Sequence, residues 1–535
     1  MRQPAVVLAL AAFVLLSPSL LLGTQLSDSA SLNLNWAGQF ADQFRAGILY
    51  PRWMPRSFDS LGSPAFYFYA PLPFWLDALV SVVTDDALAV SYRLVVSWVL
   101  ILWLSGLAMH AWLKAETANG RMALVGALLY MAAPYHLLDH YVRGAYAEFS
   151  AFALVPVVML ALNRIAGMPA QRIVGAPVRG VVLLAVGYAA LLMSHLPTAL
   201  LASATVFPAY VVWRVRRPVP LLVGGALGLG LAAAYVVPAL LLQEWISAEW
   251  LWSAFYRVDA WFLLTPGQWP DAGLMLMIAA LAACYVAVAV AIAVHQHRVG
   301  IWTGLTFGCL ALIAGLVPWF WQLPQLAKVQ FPWRLMAIVE FTIITAFCAA
   351  PVVNARRSVL LCLAIAAVAA LQAEVSIVST FAAEVALTRE HTPIPLFDTR
   401  EYTPNGYSEG HGDPANPDRR HLPTVPVIAC APVVPVCQAT ERRFGDLDIE
   451  IQADVPTMVV LHRFFFPAWR LEPALSIAAN EPFKLVSFTA PLGRHAWHLA
   501  RTTLPEEKVG WATSGASLLL LLGWAAAARR RARPA

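Results

Sequence analysis

Carboxylates and arginines are the side chains in this sequence with the most chemical capacity, and they cluster between apolar runs. Asp28 and Asn33 open a polar stretch reaching Pro73. It also holds Asp42, Asp59, a YPRW turn containing Arg52, a Gly-x-Pro break and a dense aromatic run. Asp139, His140, Arg143 and Glu148 follow in DHYVRGAYAE. His195 stands in SHLPTAL, Arg257 and Asp259 in YRVDAW, and Arg334 in QFPWR. A carboxylate can take a proton from a hydroxyl nucleophile. A guanidinium can hold two phosphate oxygens at once. Together they suit a reaction in which a phosphate departs and its charge must be met.

Each residue also has a plainer reading. Asp28 fits a solvated loop acid or the cap of a helix over Leu34–Arg45. Glu148 can pair with Arg143 across a turn, and His195, close to Pro197, can simply end a helix. Arg334 can snorkel to an interface, although the preceding Pro332 and Trp333 fix its position. The aromatic run fits a membrane anchor as well as a sugar platform. The RRRAR tail reads as an orientation signal, not a nucleic-acid patch. The chemical reading gains weight because these residues fall on one side of a membrane.

That common side follows from the elements that carry them. The chain has 535 residues, 60% hydrophobic and 13% charged, which excludes an ordinary soluble protein and indicates a polytopic membrane protein. Apolar runs near the ~20 residues needed to cross a bilayer lie at about 5–23, 89–111, 121–138, 148–163, 180–196, 198–213, 219–238, 272–294, 300–317, 333–352, 358–378 and 509–528. With the N-terminus inside, sixteen Lys and Arg fall on inward positions and four on short outward loops. This is a strong positive-inside bias. It predicts about twelve spans, both ends cytoplasmic, and places every candidate above on the outward face. The first run also fits a signal peptide; its length favours an uncleaved anchor. Ionisable groups near hydrocarbon are costly and tend to face a cavity or a partner. An outward cavity of this kind suits a lipid-linked anion.

The reading divides the chain into a transmembrane domain at 1–378, an outward domain at 379–508, and a last span with a basic tail at 509–535. Within the large first outward loop at 24–88, the run Phe66–Val83 is expected to lie in the interface or re-enter the membrane. Gln243–Trp269, rich in Trp, is expected to form an amphipathic interfacial helix and loop. In 379–508, FGDLDIEIQA, TMVVLHRFFF, FKLVSFTA and HAWHLART alternate at period two, which predicts a small β-sandwich. Cys430 and Cys437, on the oxidising side, are expected to form a disulfide. The other four cysteines lie in apolar runs as packing residues. No Cys/His spacing suggests zinc.

The motifs NW-x3-F, G-x-LYPRW, G-x-P-x-F-x-FYAPL, YVRGA-x-AE, SHLPTAL and FPWR make the chain resemble bacterial membrane proteins labelled 6-pyruvoyl-tetrahydropterin synthase-related. The resemblance covers about residues 1–340, with weak extension through FFFPAW and APLGRHAWHL. No soluble pterin-synthase zinc site accompanies it. By architecture the group is similar to GT-C glycosyltransferases, the class of oligosaccharyltransferases, protein O-mannosyltransferases and lipid A aminoarabinose transferases. The resemblance implies a predominantly α-helical, GT-C-like polytopic protein in a bacterial inner membrane. Its implied activity is inverting transfer of a sugar from a polyprenyl-phosphate donor to an envelope glycan, lipid or protein on the outer face. It implies Asp28 as base or acceptor-orienting carboxylate and Glu148 or Asp139 as the second acid. Arg334 and Arg143 would meet the leaving phosphate, and His195 would assist by hydrogen bonding. Asn33, Arg52 and Arg257 complete the substrate-binding candidates. No cofactor is certain, and a divalent metal is compatible. Relatives often carry a His in an H-x-x-W setting where this chain has Asn33. If that His is a base or metal ligand, Asn33 alters metal use or removes activity.

Two other functions fit the composition. A transporter or lipid flippase would be expected to show inverted repeats with paired broken helices, and the sequence shows no obvious pair. A non-catalytic scaffold in envelope assembly is compatible with Asn33.

Overall fold

The computed structural model describes residues 2–24, 29–167, 178–216, 218–350, 398–407 and 426–531. These residues are mostly helical, with a C-terminal β region of two sheets. Seven helical stretches among them are long and apolar enough to cross a membrane: Val90–Thr117, Gly120–Tyr141, Tyr146–Ala166, Leu196–Arg214, Ala272–Gln296, Pro332–Ala349 and Pro505–Ala527. Pro218–Leu231 and Ala233–Leu241, bent by 67° between them, add an eighth if they form one broken span. Seven or eight such stretches among the described residues stand against the expected twelve, a count they do not confirm.

Physical punctuation explains several shorter pieces. Pro18 starts a new helix at Ser17, so the first run divides into Arg2–Leu15 and Ser17–Leu22. Helix Val178–Ser194 stops at His195, which is extended because Pro197 starts the next helix. Gly315, at φ +84°, ends Ile301–Ala314 in the left-handed region. The expected span at 358–378 lies outside the described residues.

The first large loop, expected to face outward, is a folded element. Its helix begins at Ala30, four residues before the expected start, and runs to Arg45. The loop is pinned through buried amides: Gln43 Nε2 donates to Trp53 O at 2.8 Å, and Gln39 Oε1 accepts from Arg56 N at 2.6 Å. Gly62 is required at the Gly-x-Pro break. Its φ is +84°, and an added Cβ would lie 2.4 Å from the Trp53 ring. The run Phe66–Val83 divides into helices Ala65–Phe68 and Leu72–Val83. Much of it is buried in protein, with Phe66 and Phe74 fully so.

The Trp-rich segment Gln243–Trp269 forms five short 3-10 turns instead of the expected amphipathic helix. Local docking of its indoles explains this. Trp261 Nε1 donates to Phe255 O at 2.7 Å and Trp269 Nε1 to Phe262 O at 2.8 Å. Carbonyls that a continuous helix would use internally are taken by these bonds.

The β region holds eight strands: β1 Ile428–Ala431, β2 Val436–Glu441, β3 Leu447–Ala453, β4 Thr457–Phe464, β5 Trp469–Glu472, β6 Ala478–Asn480, β7 Leu485–Ala490 and β8 Gly493–Arg501. They pair antiparallel in the orders β1-β4-β7-β6 and β2-β3-β8-β5. Both sheets contribute to one core, through Leu447, Ile449, Val459, Leu461, Phe488 and Leu499. Trp53, Phe58, Leu61 and Tyr67 of the first loop join that core. The expected disulfide Cys430–Cys437 is present and ties edge strand β1 of one sheet to edge strand β2 of the other.

A segment at 398–407 joins the first large loop to the Trp-rich segment. Asp398 accepts from Trp36 Nε1 at 3.3 Å, and Thr403 O accepts from Ser247 N at 2.9 Å. Burial pushes the Asp398 carboxyl up to about 6, with bonds from Ser57, Thr399, Trp36 and Ser63 opposing that rise.

Candidate active site

The site is built around helix Pro134–Tyr141 and the turn after it. Pro134 at the first helical position presets φ. The exposed N–H groups of the first turn are met by Glu340 from helix Met336–Ala349. Its two oxygens accept from Tyr135 N at 2.6 Å and His136 N at 3.2 Å. A carboxylate at a helix N-terminus satisfies both orphan donors and the dipole. At the other end Gly144 has φ +59°, and Ala145 N donates to Asp139 O at 2.7 Å. The reversal brings helix Tyr146–Ala166 back with Glu148 in its first turn. Asp139 and Glu148 therefore flank Arg143.

Glu148 is the hub. Its Oε1 accepts from Tyr135 OH at 2.5 Å and its Oε2 from Arg143 Nη1 at 2.9 Å. Arg334 Nε forms an ion pair with Oε2 at 3.3 Å, outside hydrogen-bond geometry. Arg143 Nη1 also binds Asp139 Oδ1 and lies 3.2 Å from Tyr135 OH. The Arg143 guanidinium stands 4.4 Å over the Trp333 ring, a cation–π arrangement. Arg334 Nη1 donates to Val329 O at 2.6 Å, which aims its head. Burial opposes the charge of Arg143, but Glu148 and Asp139 outweigh it and hold the group protonated well above its ordinary range.

Burial is graded across the cluster. Asp139 and Glu148 are 0% and 1% exposed, the Arg143 and Arg334 side chains 9% and 11%, and His195 and Tyr69 are half-buried. His195 Nδ1 lies 2.8 Å from Thr198 Oγ1, and its ring is in electrostatic reach of Glu148, Arg334 and Arg143. Tyr69 feels the same three groups. Burial pushes its phenol up to about 12, with Arg334 pulling down and Glu148 pushing up. The carboxylates are the deepest members of the cluster, and an arginine, an imidazole and a phenol are less deeply buried.

The first loop is docked on this turn. Ser29 N donates to Arg143 O at 3.1 Å, and Asn33 Nδ2 to Gly144 O at 2.6 Å. Asp28 lies outside the described residues; Ser29 follows it in the chain. The structure thus gathers Glu148, Asp139, Arg143, Arg334, His195 and Asn33 around one turn.

Two candidates lie elsewhere. Arg257 makes a local, exposed ion pair with Asp259, two residues along, so solvent and its neighbour account for its charge. Arg52 is a buried clamp. Its Nε pairs with Glu507 at 2.9 Å, its Nη2 donates to Ala234 O at 2.7 Å, and its head stacks 3.8 Å over Tyr50. Neither is bonded to the cluster around Glu148.

Glu340, Tyr135, Tyr69 and Trp333 were not among the sequence candidates. Glu340 carried a usable signal, since a lone carboxylate inside the apolar run AIVEFTII needs a partner. Tyr135 and Tyr69 carried none, because a phenol's role depends on which carboxylate it meets. Among the described residues no three His, Cys, Asp or Glu side chains gather to hold a metal ion. Searches against protein-family models, curated proteins and solved structures find no match to this chain.

Proposed function

We propose that the chain is a GT-C-type membrane glycosyltransferase of the group it resembles. It transfers a sugar from a polyprenyl-phosphate donor to a cell-envelope acceptor on the outward face of a bacterial inner membrane, with both chain ends cytoplasmic. One observation carries this reading. Two arginines, Arg143 and Arg334, meet on one buried carboxylate at the end of apolar helices, and Arg334 keeps part of its surface exposed. Buried charge in such a position is costly unless it meets a partner. A lipid-linked phosphate supplies a partner that enters from the membrane.

In the reaction the acceptor oxygen bonds to the anomeric carbon as the bond from that carbon to the phosphate oxygen breaks. The electron pair leaves with polyprenyl phosphate, and the acceptor proton passes to a carboxylate. Arg334 offers the first charge to the departing phosphate. Its Nη2 donates to no acceptor among the described residues. Arg143 sits behind it, its charge shared with Asp139 and Glu148. His195, half-buried, is placed to donate or accept according to tautomer. Asp28 is the first-loop carboxylate that the resemblance assigns as base or acceptor-orienting group. The acceptor is an envelope glycan, lipid or protein. No step is routed through a metal.

A transporter reading would draw on the bent pair at 218–241. Its break is filled by protein: Ser514 Oγ lies 2.9 Å from both Leu231 O and Ala234 N. That favours a structural break over an ion site.

Binding of a polyprenyl-phosphate sugar to the full chain in nanodiscs, followed by tryptophan fluorescence, tests the reading. Wild type should saturate, the phosphate-free prenol should not compete, and Arg334→Gln should weaken binding at least tenfold. Equal binding of the prenol, or undiminished binding by Arg334→Gln, would overturn it.

A further inference from the structure

The two buried carboxylates of the site differ in how many of their oxygens the protein itself satisfies. Glu148 is saturated, with Oε1 on Tyr135 and Oε2 on Arg143 and Arg334. Asp139 is not: Oδ1 meets Arg143, while Oδ2 is buried with no hydrogen-bond partner. A second buried oxygen in the same state belongs to Asn33. Its Nδ2 is held by Gly144 O, and its Oδ1 has no partner. Both residues are tied to one turn, Asp139 through its backbone carbonyl, which accepts from Ala145 N, and Asn33 through its Nδ2, which donates to Gly144 O. A buried acceptor without a donor costs about 1–3 kcal/mol. Retaining two of them in residues bonded to the turn that carries Arg143 calls for a ligand that brings donors.

We infer that Asp139 is the carboxylate that takes the acceptor's proton, that Asn33 Oδ1 receives a second donor of the same hydroxyl-bearing acceptor, and that Glu148 is a positioning residue holding the two arginines. This rests on the glycosyl-transfer reading and assigns the acceptor side of that site. The acceptor O–H donates to Asp139 Oδ2. As the new carbon–oxygen bond forms, the proton moves to Oδ2 and the phosphate leaves with its electron pair toward Arg334. Asn33 cannot take a proton, but its carbonyl oxygen can fix a hydroxyl's direction. The departure from His at this position is therefore compatible with turnover, because proton acceptance lies with Asp139. The ligand class is a polyhydroxylated acceptor, with at least two donors.

The test compares Asp139→Asn, Glu148→Gln and Asn33→Ala in the full chain reconstituted in nanodiscs. Two readouts are taken: thermal unfolding, and sugar transfer from a polyprenyl-phosphate donor panel to a hydroxyl-bearing acceptor. Asp139→Asn should melt with or above wild type, since Arg143 keeps Glu148. It should lose roughly a hundredfold or more in kcat, leave the donor KM unchanged and lose the acid limb of the pH profile. Glu148→Gln should melt several degrees lower and raise the donor KM, because Arg334 loses its anion and Arg143 keeps only Asp139. Asn33→Ala should raise the acceptor KM with little change in melting. Melting of Asp139→Asn as low as Glu148→Gln, or full kcat in Asp139→Asn, would overturn the assignment. If wild type transfers no sugar, the proposed function fails by itself. The melting pair still decides: equal losses sink the division of labour, and unequal losses leave Oδ2 as an acceptor kept for a ligand.

Discussion

Replacing Glu507 with Ala should destabilise the protein more than any single change in the exposed β-domain ion pairs. Glu507 opens the last helix and holds three donors from three places. Arg52 Nε lies at 2.9 Å, Tyr67 OH at 3.1 Å and Leu504 N at 3.0 Å. The Arg52 and Glu507 side chains are 4% and 9% exposed. Glu507→Ala leaves a buried guanidinium whose Nη1 already lacks a partner. Removing one member of a buried pair costs about 3–5 kcal/mol. The paired change Arg52→Met with Glu507→Leu removes both charges and should return to within about 2 kcal/mol of wild type, since apolar replacement of a buried pair is often near neutral. Denaturant unfolding in mixed micelles, followed by tryptophan fluorescence, measures both. A cost for Glu507→Ala below about 1 kcal/mol, or a double variant weaker than the single one, would refute the clamp. A donor KM that rises in Arg52→Lys at unchanged stability would restore Arg52 to the substrate-binding set.

Other consequences are independent of that clamp. Glu340→Ala strips two N–H groups at the start of helix Pro134–Tyr141 and should cost about 2–3 kcal/mol, with weaker transfer because Tyr135 and Asp139 shift. Unfolding and kinetics on the same sample check it. Asp398 sits near 6 in the fold against an ordinary 3.8, and its neighbours Trp36, Ser57, Ser63 and Thr399 carry no charge. The folded state therefore binds its proton more tightly. This contribution is full below 3.8 and is lost as pH rises through about 6. It amounts to at most about 3 kcal/mol, so a stability-versus-pH series on wild type should slope downward across that window and flatten in Asp398→Asn. Reducing Cys430–Cys437 opens a short loop that joins the two sheets. Loss of its closure should lower β-region stability by about 2–3 kcal/mol, read by unfolding with and without reductant.

Much of the plan was legible because it rests on local rules. Period-two alternation found β3, β4, β7 and β8, since one face of each meets a single core. The acid and arginine pattern in DHYVRGAYAE led to Asp139, Arg143 and Glu148, because a turn at Gly144 makes sequence neighbours spatial ones. Arg334 joined them through FPWR, whose Pro and Trp fix the start of its helix. The losses had both tertiary and local causes. Arg52 resembled a phosphate ligand until Glu507, far along the chain, proved to be its partner. Arg257 resembled one until Asp259 was found to neutralise it locally. The amphipathic pattern of Gln243–Trp269 gave way to indoles bonding nearby carbonyls, which periodicity does not register. Nor could the sequence distinguish the saturated Glu148 from Asp139, since the difference lies in a phenol and an arginine arriving from elsewhere.

The most direct measurement is transfer itself. Purified full-length chain in nanodiscs is given polyprenyl-phosphate-linked sugars and envelope acceptors, and mass spectrometry follows free polyprenyl phosphate and glycosylated acceptor together. Glycosyl transfer predicts that both products rise in equal amounts with wild type and that both fall in Arg334→Gln. Release of polyprenyl phosphate in neither sample, across the donor panel and with folded protein, would contradict it.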